Sequence, residues 1–538
     1  MTAAFLAAPA LLAGSPDFAR ALIQAPPQQI TVPSIAYGAL SPLLIVFGAA
    51  LVGVLVEAFS PAAYRRALQI TLAGGGFVAA LIAVIANQHK HEIVAAGAVA
   101  VDGPALFLDG TILLLAIASL FLLAERSGGG NDALVADAAA LPGTREAGQL
   151  LASTDTVTEA YPLMSFSVGG MMLFGASNSL LTMFVALEVL SLPLYLMAGL
   201  ARRRLLSQEA ALKYFLLGAF SSAFFLYGLA LIYGFAGSVE FGAIHDAVGN
   251  TGKTDTYLFL GMALLAVGLL FKIGAAPFHS WTPDVYQGAP TPVTAFMAAG
   301  TKVAAFGALL RTFYVAFGPV EWDWRPVMWV VAILTMVVGA VLAITQTDIK
   351  RMLAYSSVAH AGFILVAVTA GTVDSIGAVL FYLLTYGFSI IGAFAIVGLV
   401  RNPTGEANHL SSWAGLGRRA PFLAGTFTFF LLAFAGIPLT SGFMAKFYVF
   451  RAGVDGGAAG LVVVGVIASA VTAFFYVRVI ILMYFVEPAD DGTTVALPSP
   501  FASAALGLGL AVTLVLGVVP ASVINIAHDA SSFARLGS

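Results

Sequence analysis

Long apolar stretches follow one another along almost the whole chain, and this feature most restricts what the chain can fold into. A transmembrane helix needs about 20 mostly apolar residues, and about fourteen stretches of suitable length can be recognised. Only 9% of the 538 residues are charged, whereas soluble domains carry about 25%. The sequence therefore predicts an all-α polytopic membrane protein with about fourteen transmembrane helices.

The predicted spans fall into groups that are separated by a polar loop and by shorter connections. Their approximate ranges are 38–59, 67–87, 105–124, 161–177, 180–200, 209–235, 257–276, 291–317, 326–346, 350–371, 375–400, 421–450, 459–486 and 501–527. The spacing predicts an N-terminal segment with three spans (1–124), a polar loop (125–160), two units of five spans (161–317 and 326–487) and a C-terminal span with its tail (501–538). The short apolar run Phe5–Gly14 is interpreted as a leader or a surface-lying segment.

The two units of five spans have related layouts. A duplicated unit with an odd number of spans must insert in the opposite orientation, so the layout predicts two inverted repeats. Each unit contains one helix that Gly and Pro interrupt, in LLFKIGAAPFHSW (Leu269–Trp281) and in LLAFAGIPLTSGFMAKF (Leu431–Phe447). Interrupted helices at corresponding positions of two halves indicate a transport site. The alternative is that two such interruptions coincide by chance.

Charges in the loops predict the orientation of the chain. Lys and Arg are more frequent in the loops after odd-numbered spans, and the positive-inside rule places such loops in the cytoplasm. Both termini are therefore predicted to face the outer side of the membrane. The tryptophans lie near predicted span ends or in loops, as expected of an aromatic belt at the membrane interface.

Several ionisable residues lie inside the predicted spans. A charged side chain at the centre of a span costs about 2.5–3.5 kcal/mol on insertion scales, and such residues are usually functional. We interpret them as groups that line an interior or hydrated cavity and pass protons to one another, with His279 beyond the first helix break as a further candidate. The residues inside the spans are Glu188, Lys213, Lys272, Lys302, His360 and Lys446.

Each of these residues also has a purely structural interpretation. Glu188 could accept hydrogen bonds between helices, with Lys272 as its ion-pair partner. Lys213 lies only a few residues inside its span and could extend to the membrane surface, and the same alternative holds for Lys302. The two histidines could be a hydrogen-bonded core residue and an interfacial residue.

The available residue types limit the chemistry that this chain can carry out alone. Cysteine is absent, which excludes thiolate-ligated iron–sulfur clusters and Cys-rich zinc sites. No histidine pair is placed to hold a haem, and no glycine-rich nucleotide loop occurs in a strand–turn–helix context. We therefore expect no cofactor, metal or nucleic acid on this chain, and a proton path that draws energy from partners or from another ion gradient.

Four stretches of the sequence resemble a known family. They are TMFVALEVLSLPLYLMAGL, EAALKYFLLGAFSSAFFLYGLALIYG, FKIGAAPFHSWTPDVYQGAPTPVTAFMAAGTKVAAF and TQTDIKRMLAYSSVAHAGF. They resemble the antiporter-like subunits of respiratory complex I, the proton-pumping NADH:quinone oxidoreductase. The resemblance covers about residues 160–487, and its most specific part is Phe278–Val293.

The resemblance implies a fourteen-helix fold with inverted repeats and a proton pathway along a central polar axis. It implies that Glu188 and Lys272 form the key pair. Lys302 and His360 would form the central relay, and Lys446 would be the terminal residue of the second half-channel. Lysine at position 446 is typical of two of the three subunit types. The short segment after the last span favours the type without a long C-terminal lateral helix.

The resemblance also implies partners and a location. A subunit of this kind contacts a neighbouring antiporter-like subunit, small membrane subunits and lipids, while NAD, FMN, iron–sulfur clusters and quinone bind to partner subunits. The expected location is the inner membrane of a bacterial cell, with both termini on the periplasmic side. Two alternatives stay open. One is a subunit of a multi-subunit Na⁺/H⁺ antiporter or membrane-bound hydrogenase, and the other is a membrane scaffold that conducts no protons.

Overall fold

A computed structural model of the chain describes residues 35–127, 131–132, 157–202, 204–250, 255–402, 405–488 and 493–534, and the structural statements that follow concern these residues. The predicted leader or surface segment Phe5–Gly14 and most of the predicted polar loop 125–160 lie outside them. From Ala36 onwards, the described residues belong to one compact unit.

Helices make up most of the described chain. They are α1 (Tyr37–Phe59), α2 (Ala62–Ala86), α3 (Gly103–Leu123), α4 (Ala160–Ala176), α5 (Leu180–Ala198), α6 (Leu205–Ala236), α7 (Phe241–Asn250), α8 (Thr256–Ile273), α9 (Trp281–Gly288), α10 (Thr291–Ala316), α11 (Glu321–Ile344), α12 (Ile349–Val368), α13 (Val373–Leu399), α14 (Leu416–Arg419), α15 (Pro421–Ala435), α16 (Ser441–Asp455), α17 (Ala459–Phe485), α18 (Pro500–Val518) and α19 (Ala521–Asp529). Helix α10 includes two π-helical segments, Met297–Thr301 and Arg311–Ala316.

Short antiparallel strands join some of the loops. Strand β1 (Glu92–Val94) pairs with β2 (Val99–Val101), and β3 (Arg126–Ser127) pairs with β4 (Asn131–Asp132). Strand β5 (Val400–Asn402) lies between β6 (Gly405–Glu406) and β7 (Thr494–Val495), with Arg401 opposite both Glu406 and Thr494. This three-stranded sheet ties the connection after α13 to the segment that precedes α18.

Twelve of the described helical segments are long and apolar enough to cross a membrane, and α4 and α15 are shorter apolar helices. The predicted class, an all-α polytopic membrane protein, is confirmed. Each predicted span coincides with one helix, except that the interrupted span 421–450 and the last span 501–527 each coincide with two consecutive helices. The total of fourteen membrane crossings, the division into domains and the inverted repeats stay predictions.

The helices differ in how much of their surface is buried. In the most apolar part of α10, every residue is buried. In the corresponding parts of α12 and α13, 89% and 94% of the residues are buried, compared with only 28% in α1 and in α2. A helix that is apolar on all sides belongs inside a bundle or against lipid. Because Lys302 and His360 lie on α10 and α12, the fold places both side chains on its innermost helices.

Three of the five tryptophans are buried, contrary to the expected aromatic belt at the membrane interface. Trp281, Trp324 and Trp413 are at most 3% exposed, so an interfacial belt of all five is wrong. Each of the three indole N–H groups donates to a backbone carbonyl of a neighbouring turn or loop, at 2.8, 3.1 and 2.8 Å. Their positions near helix ends therefore reflect the capping of free carbonyls rather than contact with the membrane surface.

Candidate functional site

Both interrupted helices end in the same way. Gly274 follows α8 and Gly436 follows α15, and both adopt left-handed backbone angles, with φ of +79° and +84°. The N–H of the next residue then donates to the carbonyl five residues earlier, from Ala275 to Leu270 at 2.9 Å and from Ile437 to Leu432 at 3.0 Å. This is the Schellman geometry, which glycine adopts without a Cβ penalty. The two helix breaks therefore have the same local backbone geometry.

A buried lysine ammonium closes each of the two helix ends. Lys302 Nζ donates to the carbonyl oxygen of Ile273 at 2.9 Å. Lys446 Nζ donates to the carbonyl oxygens of Phe434 and Ala435 at 2.8 and 3.0 Å. The last carbonyls of a helix lack donors within the helix and carry its negative dipole end. The breaks therefore create the polar backbone that holds these two charges inside the membrane.

The glycine at the second break should be required for this geometry. In Gly436→Ala, the new methyl carbon would lie 3.0 Å from Lys446 Cδ in an unfavourable left-handed conformation. We expect a loss of about 1–2 kcal/mol in the free energy of unfolding, measured as a lower thermal midpoint of the purified protein in its complex. Gly75→Ala is the matched control, because Gly75 is helical with open space at its Cβ position. Equal midpoints for the two variants would contradict the prediction.

Lys272 lies in the last turn of α8 among aromatic rings. Its side chain is 2% exposed, and its ammonium donates to Tyr214 Oη at 3.4 Å. It also lies 5.6 Å from the ring centre of Tyr195 and 5.2 Å from that of Tyr214, and Tyr214 stacks on Trp281 at 4.7 Å. Cation–π contacts of this kind stabilise an ammonium that has left water.

Glu188 is the acidic group near Lys272. It lies on α5, partly buried, and its charge acts on the Lys272 ammonium. Within the described part of the chain, the two side chains form no direct ion pair, and Glu188 Oε1 has no hydrogen-bond partner. The carboxylate therefore acts on the ammonium through its charge, at more than salt-bridge distance.

His360 lies between the two capping lysines. Its ring is 2% exposed, and its Nδ1 shares a hydrogen bond of 2.6 Å with Tyr382 Oη while its Nε2 lies 3.4 Å from Tyr476 Oη. The charges of Lys302 and Lys446 both act on this imidazole. The structure thus brings together one residue from α10, one from α12 and one from α16.

Lys446 borders a cavity. In addition to the two carbonyls, its ammonium donates to Ser469 Oγ at 2.8 Å and lies 4.8 Å from the ring centre of Phe363. A cavity of about 480 Å³ between α16 and α17 reaches both Lys446 and Ser469 and extends to Arg451 and Asp455. Lys446 is therefore the member of the buried set that adjoins an open space.

Lys213 and His279 lie away from this buried set. Lys213 is 41% exposed and bonds Glu209 and Asp284 at 2.7 Å each, while Arg351 bonds the same Asp284 at 2.6 Å. Although burial raises the pKa of Asp284, the hydrogen bonds from Lys213 and Arg351 outweigh it, and the net pKa is lowered. His279 is half-buried beyond the first break, with its ring 6.2 Å from that of Tyr355. Both positions fit the mouth of a path rather than its interior.

Sequence reasoning missed a buried lysine. The side chain of Lys350, at the start of α12, is 0% exposed and bonds Glu406 Oε2 at 3.0 Å, Ala289 O at 2.8 Å and Thr291 Oγ1 at 3.1 Å. Burial raises the pKa of Glu406, but the charges of Lys350 and Arg204 lower it by more, so the net pKa is lowered and the carboxyl stays ionised. No local sequence pattern indicates that the partner of Lys350 is Glu406, which lies 56 residues further along the chain.

Arg311 is a second buried charge that the sequence analysis did not identify. It lies inside α10 and forms a two-pronged ion pair with Asp102, at 2.6 and 2.9 Å, in which both side chains are 0% exposed. Its Nε also donates to the carbonyl of Gly175 at 2.9 Å. The position of Arg311 within the continuous apolar run 291–317 was the available signal.

The described residues contain no group of three or more His, Asp or Glu side chains that could hold a metal ion. The arrangement instead consists of single ionisable groups that contact hydroxyls, aromatic rings and helix-end carbonyls. Each of these groups can bind and release a proton, and no two of the lysines share a partner. What the site supports chemically is proton exchange within a membrane.

Comparison with known proteins defines the class and then the family. The profile of the family described as NADH:quinone oxidoreductase/Mrp antiporter, TM, matches residues 177–472, more than half of the chain. The chain is therefore an antiporter-like membrane subunit. A protein of Parafrankia sp. named NADH-quinone oxidoreductase subunit N is 64% identical over 515 residues, which cover 95% of this chain and 98% of the relative. The chain belongs to the NADH-quinone oxidoreductase subunit N family, the type that the sequence favoured.

Solved structures agree with this assignment. A chain of respiratory complex I from Thermus thermophilus matches with a TM-score of 0.74 at 34% identity, over 90% of this chain and 99% of that one. A chain of the Mrp complex from Dietzia sp. matches with a TM-score of 0.73 at 22% identity, over 92% and 97%. The second likeness shows the shared fold alone.

Proposed function

We propose that this chain translocates protons across the membrane as subunit N of NADH:quinone oxidoreductase, driven by redox chemistry in partner subunits. The observation that carries the proposal is the set of ionisable groups at most 5% exposed, namely Lys272, Lys302, His360 and Lys446. Each charged group inside a membrane costs about 2.5–3.5 kcal/mol or more, and such groups are usually kept for function. Each has polar or aromatic contacts that allow both its charged and its neutral form.

The proposed path runs from Lys272 to Lys446. Glu188 tunes the proton affinity of Lys272 through its charge. Lys302 and His360 pass the proton across the centre, and Lys446 releases it beside the cavity that it borders. Lys213 and His279, which are less buried than the other members of the set, are proposed to act at the entrance.

The available electrostatic energy is of the right size. Moving a proton against 150–200 mV costs about 3.5–4.6 kcal/mol, at about 2.3 kcal/mol per 100 mV. Two unit charges at about 4 Å interact by about 4 kcal/mol near a protein surface. If Glu188 approached Lys272 and later moved away, the electrostatic energy of the pair would therefore change by an amount comparable to the cost of moving one proton across the membrane.

The energy source and the cofactors are proposed to lie in partner subunits. The complex I likeness supports assembly with other membrane-arm subunits, including a neighbouring antiporter-like subunit, and with lipids. NAD, FMN, iron–sulfur clusters and quinone would bind to those partners. The bacterial relatives support a location in the inner membrane of a bacterial cell. The excess of Lys and Arg in loops after odd-numbered spans supports an orientation with both termini on the periplasmic side.

The proposal is tested with Glu188→Gln, which keeps the side-chain shape and removes the charge. We expect NADH-driven proton uptake by inverted membrane vesicles to fall by about tenfold or more, since positioned acid–base groups contribute about 10²–10⁴-fold. Glu92→Gln is the matched control, because Glu92 lies on an exposed strand beside Lys90. Full proton uptake by an assembled Glu188→Gln complex would favour the non-conducting scaffold. Isolation of the tagged chain without NADH oxidation would favour the antiporter.

A further inference from the structure

A group of buried hydroxyls lies beside the relay and is not used by any of the lysines. Ser357 on α12 is 0% exposed and Tyr386 on α13 is 4% exposed. Across the described ranges, neither Ser357 Oγ nor Tyr386 Oη has a hydrogen-bond partner. A buried polar atom without a partner costs about 1–3 kcal/mol. Each of these two hydroxyls therefore has hydrogen-bonding capacity that a small polar ligand could use.

The two hydroxyls adjoin the central histidine. The ring of Tyr386 lies 4.9 Å from that of His360, tilted by 36°. Ser357 precedes His360 by three residues on α12, so the two side chains lie on the same side of the helix, about one turn apart. The Ser357 hydroxyl also lies close enough to the hydroxyls of Tyr286 and Tyr386 to interact with both. In the described chain it forms no hydrogen bond of normal geometry with either. One end of this group thus reaches the relay at His360.

The other end of the group approaches Lys272. Tyr214, which accepts the hydrogen bond of the Lys272 ammonium, stacks on Trp281 with 9° between the ring planes. Trp281 in turn packs edge-on against Tyr286 at 6.3 Å. The three aromatic rings therefore bring a hydroxyl from α6 and one from α9 to the same region.

Among the residues that the structure describes, Lys302 makes no comparable side-chain contact. Its ammonium donates to the Ile273 carbonyl, and a backbone carbonyl of this kind accepts a hydrogen bond but has no proton to pass on. A hydroxyl or a water molecule can do both, since each is donor and acceptor. The tyrosine and serine hydroxyls therefore offer continuity that the lysine alone does not.

We propose that Tyr286, Ser357 and Tyr386 bind an ordered water molecule and form with it a second route for protons between the Lys272–Tyr214 contact and His360, parallel to Lys302. Three hydroxyls suit such a site, because buried waters typically make about three hydrogen bonds to polar groups that lack partners. Each hydroxyl or water accepts one proton and releases another, so no net charge stays on the route. This inference rests on the proposed proton translocation.

The test uses the intact complex in inverted membrane vesicles. The double variant Ser357→Ala/Tyr386→Phe is expected to lower NADH-driven proton uptake by about tenfold, less than the typical 10²–10⁴-fold contribution of an acid–base group because Lys302 remains. Ser357→Thr keeps a hydroxyl and should retain uptake. Ser119→Ala is the matched control, since Ser119 Oγ on α3 is also buried without a hydrogen-bond partner in the described chain. It should pump like the wild type.

The possible outcomes separate the inference from the function on which it rests. Wild-type uptake by the double variant, together with lost uptake in Lys272→Ala, would overturn the hydroxyl route and leave proton translocation standing. Wild-type uptake in both would overturn proton translocation itself. A Ser357→Thr variant as defective as Ser357→Ala would show that size rather than the hydroxyl matters, and would also overturn the route. If the double variant does not assemble, Ser357→Ala and Ser357→Thr are compared instead. Lower uptake in Ser357→Ala than in Ser357→Thr would support the route, and equal uptake in the two variants would overturn it.

Discussion

Lys272→Ala should lower NADH-driven proton uptake by about a hundredfold in vesicles that contain the assembled complex, at the lower end of the range for positioned acid–base groups. The reason is the position of this ammonium. It is 2% exposed, it lies within the field of Glu188, and its hydrogen bond goes to Tyr214. Alanine removes the ammonium that begins the proposed path, in the last turn before the first helix break. Proton uptake is measured by the quenching of a pH-sensitive dye.

Assembly must be measured alongside proton uptake, through the amount of complex in the membranes. Lys90→Ala is the matched control, because Lys90 is 38% exposed and makes only a loose ion pair of 3.8 Å with Glu92. We expect that variant to pump like the wild type. Normal uptake by an assembled Lys272→Ala complex would rule out a proton path through this residue and would return attention to the scaffold interpretation.

Arg311→Met should destabilise the protein by about 3–5 kcal/mol, the usual cost of leaving one member of a buried ion pair without its partner. The Asp102 carboxylate would then stay at 0% exposure with no cation beside it, and the Gly175 carbonyl would lose its donor. Methionine keeps much of the side-chain volume, so the loss of charge dominates. The measurement is the thermal midpoint of the detergent-solubilised complex.

The exposed ion pair Arg202–Glu159 provides the control for Arg311→Met. These side chains lie 2.9 Å apart but are 77% and 36% exposed, and exposed pairs contribute about 0–1 kcal/mol. Arg202→Met should therefore leave the midpoint nearly unchanged. Adding Asp102→Asn to Arg311→Met should recover part of the loss, because the amide still caps α3 without a charge. A midpoint unchanged by Arg311→Met would refute the structural role of the buried pair.

The helices could be predicted from the sequence because each is long, apolar and bounded by polar or Gly/Pro residues. The interruptions at Gly274 and Gly436 were also predictable, since few residues other than glycine adopt left-handed angles at a helix end. The capping of those helix ends by Lys302 and Lys446 could not be predicted from the sequence. Residue spacing shows that a lysine is inside the membrane but not which carbonyl it meets, since that contact depends on how helices pack.

Partners distant in the chain explain the remaining differences. Lys350 follows a turn and looked like a loop charge, but the loop that contains Glu406 folds over it. Lys213 looked like an interior residue, but Asp284 and Glu209 hold it at the surface. Periodicity describes one helix at a time, whereas burial of a charge is decided by elements that lie far away in sequence. Single charges near span ends were accordingly the least predictable residues.

The buried contact of Asp102 has a consequence for how the chain is made. Its carboxylate is synthesised 209 residues before Arg311 and 432 residues before Ala534, whose N–H also donates to it at 2.9 Å. During translation, the growing chain therefore holds an anion whose cation emerges much later. The insertion machinery or the lipid interface must keep this carboxylate hydrated until α10 arrives. Its last hydrogen bond forms only when the residues after α19 dock, so the surroundings of this carboxylate are completed late in synthesis.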